Sequence, residues 1–377
     1  MKRSALTTIC LILILATKSF AQGTSSISVS NEPEKKRFSA EWRLSMKGQG
    51  EEDLQSQSKY VDLRLELKSK YILSNSLYID LQPAIRLVSG QSQTVDGADS
   101  MKNALLLNQA GLMFKPANYF QLAAGALDQR YNHTSLLVDS IAFPTARLQS
   151  LYRVGSTVSG LVVESAIPTS TSLSTNTQEK EPTPGLNSAA IHMNYMPSKS
   201  AFWKNRVGYF VYSNLPSSVA RDSMLLGNEV NTISDAHYQF VNEYAGIEAG
   251  TDMQVPVGTL FDAIFAAEYL VNQKAEQGQN SAYAVTVGAV THLSSDNDLT
   301  LRAKYFSVEP EATVAYFNAR GYETNRVGYA VEGIFSFKKQ GFNLGAGYRE
   351  AEVMFTNTVQ SREKTIMIKL ETFYANI

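Results

Sequence analysis

Tyr60-Val61-Asp62-Leu63-Arg64-Leu65-Glu66-Leu67-Lys68 is the stretch that decides the fold. Val61, Leu63, Leu65 and Leu67 fall on one face at a repeat of two. Asp62, Arg64, Glu66 and Lys68 fall on the other. Strict alternation of this kind marks an extended strand with one apolar and one wet face. The pattern continues in both directions. Upstream, Phe38, Ala40, Trp42, Leu44 and Met46 alternate with Arg37, Ser39, Glu41, Arg43 and Ser45. Downstream, Leu77, Ile79, Leu81, Ile85 and Leu87 alternate with Tyr78, Asp80, Gln82 and Arg86.

Further alternating segments follow near 103–114, 118–127, 145–154, 157–167, 186–196, 202–213, 237–249, 259–272, 281–293, 298–307, 325–338, 341–354 and 364–376. With the first three this predicts about 16 strands. Segment 145–154 also reads as loop or helix, and 237–249 switches face midway, as a bulge would produce. The connections after odd-numbered strands are long and polar, whereas those after even-numbered strands are short. Transmembrane β-barrels have this asymmetry, with short periplasmic turns and long extracellular loops. The expected fold is therefore all-β, a single antiparallel barrel of about 16 strands.

Composition narrows the alternatives. The chain has 377 residues, 44% hydrophobic and only 18% charged, with a formal net charge of −1. No basic block points to nucleic acid. The one cysteine, Cys10, excludes disulfide frameworks and Cys-ligated metal sites from the remainder. No stretch after residue 22 is apolar for long enough to form a membrane helix. At the N-terminus, Lys2 and Arg3 precede the apolar run Ala5–Ala16, and Ser19-Phe20-Ala21 offers small residues at the −3 and −1 positions. That reads as an export signal over 1–21. Residues 22–36 form a polar lead-in, and 37–377 the barrel.

A soluble β-sandwich also alternates. The barrel is favoured because apolar faces recur over the whole chain and several end in aromatics, among them Trp42, Trp203, Tyr269, Tyr305, Tyr329 and Phe337. The opposite face stays charged at mid-strand. In lipid every backbone polar group must be paired, so such strands close on themselves. A barrel of about 16 strands encloses water instead of packed side chains. Its inward face carries more basic than acidic residues, which predicts a mild preference for anions.

At the level of topology the mature chain resembles the Gram-negative general porins. The resemblance implies that the loop after the fifth strand, 128–144, folds inward. Its Asp128 and Asp139, accompanied by Arg130 and His133, would then face a ladder formed by Arg43, Arg64 and Arg86. These arginines also read simply as solvated lumen residues. The loop's apolar run, from Ser135 to Pro144, suits packing against the wall. Many porins are trimers, which implies a homotrimer, and small residues such as Ala104 and Ala110, or Ala124 and Ala126, are candidate contacts, with lipid as the plainer neighbour. The family's last strand ends in an aromatic residue; here the apolar face reaches Tyr374 and is followed by Ala375-Asn376-Ile377.

Motifs for chemistry are sparse. His133, His192, His237 and His292 lack metal-ligand spacing, and neither a Gly-x-Ser-x-Gly elbow nor a P-loop is present. Ser188 and His192 share a strand face, which reads as two lumen residues before it reads as a hydrolase pair. No enzyme activity and no cofactor are expected. The expected function is an outer-membrane porin for passive diffusion of small hydrophilic solutes and ions. A substrate-specific channel and a barrel acting through its loops as adhesin or receptor are the alternatives.

Overall fold

The computed structural model describes residues 37–53, 57–93, 103–139, 141–168, 170, 180–198, 200–234, 237–318 and 322–377. The export signal, Cys10 and the lead-in lie outside the described residues. Sixteen long strands make up the chain: β1 (Phe38–Glu52), β2 (Gln57–Ile72), β3 (Leu77–Gln93), β4 (Ala104–Ala117), β5 (Phe120–Asp128), β6 (Ala142–Val154), β7 (Thr157–Ala166), β8 (Gly185–Tyr195), β9 (Phe202–Ser213), β10 (Ala245–Val257), β11 (Phe261–Asn272), β12 (Ser281–His292), β13 (Asn297–Val308), β14 (Arg326–Phe337), β15 (Phe342–Val353) and β16 (Glu363–Thr372). Each pairs antiparallel with the next. β1 closes the ring against β16, from Ser45 opposite Glu371 to Glu52 opposite Lys364. Closure gives each of the sixteen strands a neighbour on both sides, the condition for placing a sheet in hydrocarbon.

Period-two patterning separates outside from inside. Val61, Leu63 and Leu65 are exposed on the outer wall, together with Leu107, Ile191, Val287 and Ile368. Tyrosines form a belt on this surface near the long-loop end: Tyr269 lies opposite Tyr283, and Tyr305 opposite Tyr329. Phenylalanines form a second belt near the short-turn end, where Phe337 stacks on Phe342 at 4.6 Å. Tyr329 and Phe337 are eight residues apart on β14. At ~3.4 Å per residue and ~40° tilt they stand about 20 Å apart in height, close to the apolar band of a membrane barrel.

The turns 73–76, 118–119, 155–156, 196–201, 258–260, 293–296 and 338–341 are short. Gly155, at φ 55, makes the two-residue turn between β6 and β7 possible. The other end carries the longer connections, with the 53–56 link as the exception because β1 and β2 extend far beyond the band.

Three details differ from the sequence reading. Segment 237–249 divides. His237–Phe240 pairs with Val230–Ser234 in a hairpin of the long β9–β10 connection, and β10 begins only at Ala245. Its alternation runs Ile247, Ala249, Thr251, Met253, Val255, so the change of face marks two separate strands and no bulge. Second, Ala104 faces inward with its partner Arg86, whereas Ala110 faces outward with Leu81; a register slip at Gln82/Pro83 lies between them. Third, Tyr374 turns inward. The pairing of β1 slips by one residue between Glu371 opposite Ser45 and Ala375 opposite Trp42. This bulge rotates Tyr374 off the apolar face.

The core sits inside the barrel at the long-loop end. Leu136, Leu137 and Val138 of the β5–β6 loop are fully buried. They pack with Val219 of helix α1 (Ser217–Leu225), with Val314, Phe317 and Tyr322 of the β13–β14 loop, and with Phe143, Phe210 and Phe306 on the strands. Phe317 meets Phe143 edge-on at 5.3 Å and stacks on Tyr212 at 5.8 Å. Gly227, at φ 109, ends the helical segment against Thr324, where a Cβ would fall 2.4 Å from the carbonyl oxygen. Truncating Phe317 to alanine would cost about 3–5 kcal/mol and loosen all three loops together.

Candidate solute pathway in the barrel lumen

Arg43, Arg64 and Arg86 lie on adjacent strands β1, β2 and β3 and point into the lumen. Their charges are answered by the same strands and by β16. Arg43 pairs with Glu66 and, at 2.8 Å, with Glu371. Arg64 lies 2.8 Å from Glu66 and donates to Asn108 at 2.7 Å. Arg86 donates to Asp62 at 2.5 Å. The inward-turned Tyr374 donates to Glu66 at 2.9 Å and stacks under Arg43 at 4.7 Å. Three arginines and three carboxylates leave the ladder itself close to neutral. Its side chains are about a third exposed or less, so solvent weakens each pair.

The β5–β6 loop folds inward, but onto the opposite wall. Asp128 accepts the backbone N–H of Arg130 at 3.0 Å, caps the turn Gln129–Tyr131, and holds the Arg130 guanidinium at 2.6 Å. This hydrogen bond pushes the Arg130 pKa up. Asp128 is thereby engaged at the root of its own loop. Asp139 sits at the other end, where its backbone N–H donates to the Phe317 carbonyl at 2.9 Å.

Between these ends a polar brace fixes the loop. Glu248 on β10, 1% exposed, lies 2.6 Å from His133 Nδ1 and accepts from the Thr134 N–H at 2.7 Å and the Thr134 hydroxyl at 2.8 Å. Ser135 donates to Glu268 at 2.6 Å, and Arg206 bonds both Glu268, at 3.1 Å, and the His133 carbonyl. Ser188, His133 and Glu248 follow one another like a nucleophile, base and orienting carboxylate. The Ser188–His133 distance is 3.4 Å, however, and Ser188 Oγ accepts from Asn132 at 2.9 Å in a buried position behind the loop. His192 bonds Asn132 at 3.3 Å instead of Ser188. This set braces a loop and leaves no approach for a substrate carbonyl. Among the described residues, no three His, Cys, Asp or Glu side chains are grouped to hold a metal ion.

Below the loop the lumen is hollow. Two cavities of about 570 and 560 Å³ share Asp252, Ala266, Thr286 and Lys304. Pairing explains their placement. One row across the strands runs Lys204, Asp252, Ala266, Thr286, Lys304, Ala330, Arg349, and the next carries Gly288, Arg302, Glu332, Gly347. Alanine, glycine and threonine between the charged positions leave volume that larger side chains would fill. The cavity walls carry Lys47, Arg130, Lys204, Arg206, Arg302, Lys304 and Arg349 against Asp252, Glu268 and Glu332. Arg130, Arg206 and Arg349 pair with Asp128, Glu268 and Glu363. Lys47, Lys204, Arg302 and Lys304 have no carboxylate within 4 Å among the described residues.

No protein-family model and no curated protein sequence matches the chain. Solved structures do. Pseudomonas putida OprB, in a high-pH structure, superposes with a TM-score of 0.54 at 11% identity, covering 89% of this chain and 93% of that one. Outer-membrane-expressed OmpT of Vibrio cholerae superposes with a TM-score of 0.52 at 10% identity, covering 91% and 99%. The fold is that of the outer-membrane porins. Within this porin fold the arginine ladder is self-neutralised, and the cavity-lining cations without a carboxylate partner among the described residues lie on the wall from β9 to β13 and on β1. Lys204, Arg302 and Lys304 belong to the basic wet face, but nothing local in the sequence singles them out. Glu248 escapes notice because segment 237–249 joins two separate strands; the alternation from Ile247 to Val255 is the available signal.

Proposed function

We propose that the protein is an outer-membrane channel for passive diffusion of small hydrophilic solutes and ions, with a mild preference for anions. The reading rests on one observation: contiguous lumen cavities whose uncompensated charges are Lys47, Lys204, Arg302 and Lys304 against Asp252 and Glu332. A unit charge at 4 Å is worth about 1 kcal/mol even in water, roughly a fivefold change in local ion concentration. The channel reading includes export by the signal at 1–21, a lead-in at 22–36, and a barrel from 37 to 377 held in lipid, with no nucleic acid, cofactor or catalytic step. A homotrimer is part of the proposal. Ala110, Ala124 and Ala126 share the outer face and suit a close subunit contact.

Purified, heat-modifiable barrel in planar bilayers should give stepwise ohmic conductance, and a KCl gradient should give a reversal potential of the anion-selective sign. Folded protein that opens no channels would defeat the proposal.

A further inference from the structure

We propose that Lys304 is the centre of a saturable binding position for a small dianionic oxyanion, phosphate or a short dicarboxylate, in the channel described above. The inference depends on that channel reading and makes it specific.

Among the described residues Lys304 is the one cation that lines both cavities, so a solute moving between them meets it. It is also held in place. Its ammonium donates to the Tyr322 hydroxyl at 3.1 Å and lies 5.1 Å from that ring, and Tyr322 is itself buried in the loop core. A cation fixed before its ligand arrives loses little freedom on binding. Arg302 lies two residues earlier on the same face of β13, about 7 Å away along the strand. Its side chain crosses over Gly288, where an added Cβ would stand 3.0 Å from Arg302 Cγ, so glycine there gives the guanidinium room to lie along the wall. Lys47 enters the same cavity from β1. Thr286, the neighbour of Lys304 on β12, adds a hydroxyl.

The charge balance selects the ligand. Lys47, Arg302 and Lys304 have no carboxylate within 4 Å among the described residues, and Glu332 faces Arg302 in register without closing to an ion pair. With Lys204 counted, four cations stand against Asp252 and Glu332 across the two cavities, a surplus of two. Arg349, in the row of Lys304, does not add to it because it pairs with Glu363 at 3.0 Å. A planar guanidinium fork beside ammonium groups suits oxygens that share negative charge. A chloride ion fills only one of these positions; a dianion spans two.

The test uses the full-length protein in planar bilayers in KCl, with inorganic phosphate and succinate added in separate titrations. Each should reduce the chloride current saturably, and the lower half-blocking concentration identifies which oxyanion fits. Lys304→Gln should raise that concentration about tenfold, the scale of a lost charge-assisted hydrogen bond. Lys304→Arg should keep most of the block, and Arg302→Gln should have a smaller effect in the same direction. A current that changes linearly with both oxyanions, or a half-blocking concentration unmoved in Lys304→Gln, would overturn the binding position and leave the diffusion channel standing. Folded protein without any conductance would overturn both.

Discussion

The two walls of the lumen are both rich in basic residues, yet they present different fields. On β1 to β3, Arg43, Arg64 and Arg86 meet Glu66, Glu371 and Asp62 within hydrogen-bond reach. On β9 to β13, Lys204 and Arg302 face Asp252 and Glu332 in register without closing to an ion pair, and Lys304 lies between Thr286 and Ala330. A count of arginines therefore says little about the potential that a solute meets. What matters is whether a neighbouring carboxylate closes to hydrogen-bond reach, because a paired charge offers only a dipole at a distance. The second wall has a further task, since it also carries the inward loop through Glu248 and Glu268.

The strongest way to break this contrast is to remove the brace. Glu248→Ala leaves His133 and the Thr134 N–H and hydroxyl buried without their acceptor. The expected loss is about 3 kcal/mol or more. The temperature at which the folded band disappears from a gel should fall, and single-channel conductance should rise as the loop leaves the lumen. Unchanged conductance would mean that the loop does not narrow the path.

Reversing the free charges comes next. Arg302→Glu with Lys304→Glu should invert the sign of the reversal potential in a KCl gradient, with a modest fall in thermal stability as Lys304 loses its contact to Tyr322. Glu66→Gln should act oppositely and more weakly. It uncovers Arg43 and Arg64, makes the first wall resemble the second, and should increase anion preference by less than about twofold. A shift toward cations in that variant would refute the neutralised-wall picture.

The smallest expected effect concerns pH. In the β13–β14 loop, burial pushes the Glu311 and Glu323 carboxyl groups above their ordinary value of 4.5. A raised carboxyl contributes stability that is present below its unfolded-state value and lost as pH rises through its folded-state value. Acidification from neutral toward that range should therefore tighten the loop core. Amide hydrogen exchange over residues 309–318, corrected for intrinsic rates, should show more protection at pH 5 than at pH 7. Less protection would contradict the direction.

Most of the barrel was legible because one physical rule acts on every strand. Side chains alternate, one side meets hydrocarbon and the other water, so Val61 to Lys68 states its own orientation. Reading failed where the rule was interrupted. The slip at Gln82/Pro83 put Ala104 and Ala110 on opposite faces, and the bulge before Ala375 turned Tyr374 into the lumen to meet Glu66. The stretch from His237 to Ala249 joins a loop hairpin to a barrel strand, and each piece keeps its own phase. The candidate site was less legible. Asp128 and Arg130 were named, but that they bind each other depends on the turn at Gln129–Tyr131, which caps on Asp128.

The sequence alone determined an antiparallel barrel of about sixteen strands with a basic wet face, because period-two alternation and turn spacing are local properties that each segment carries by itself. Only the tertiary structure decided which basic residues keep their charge and which wall the inward loop covers. Both depend on register between strands far apart in the chain, as when Glu371 on β16 meets Arg43 on β1 across the closing seam. A one-residue slip changes every such partner while leaving the local pattern nearly the same.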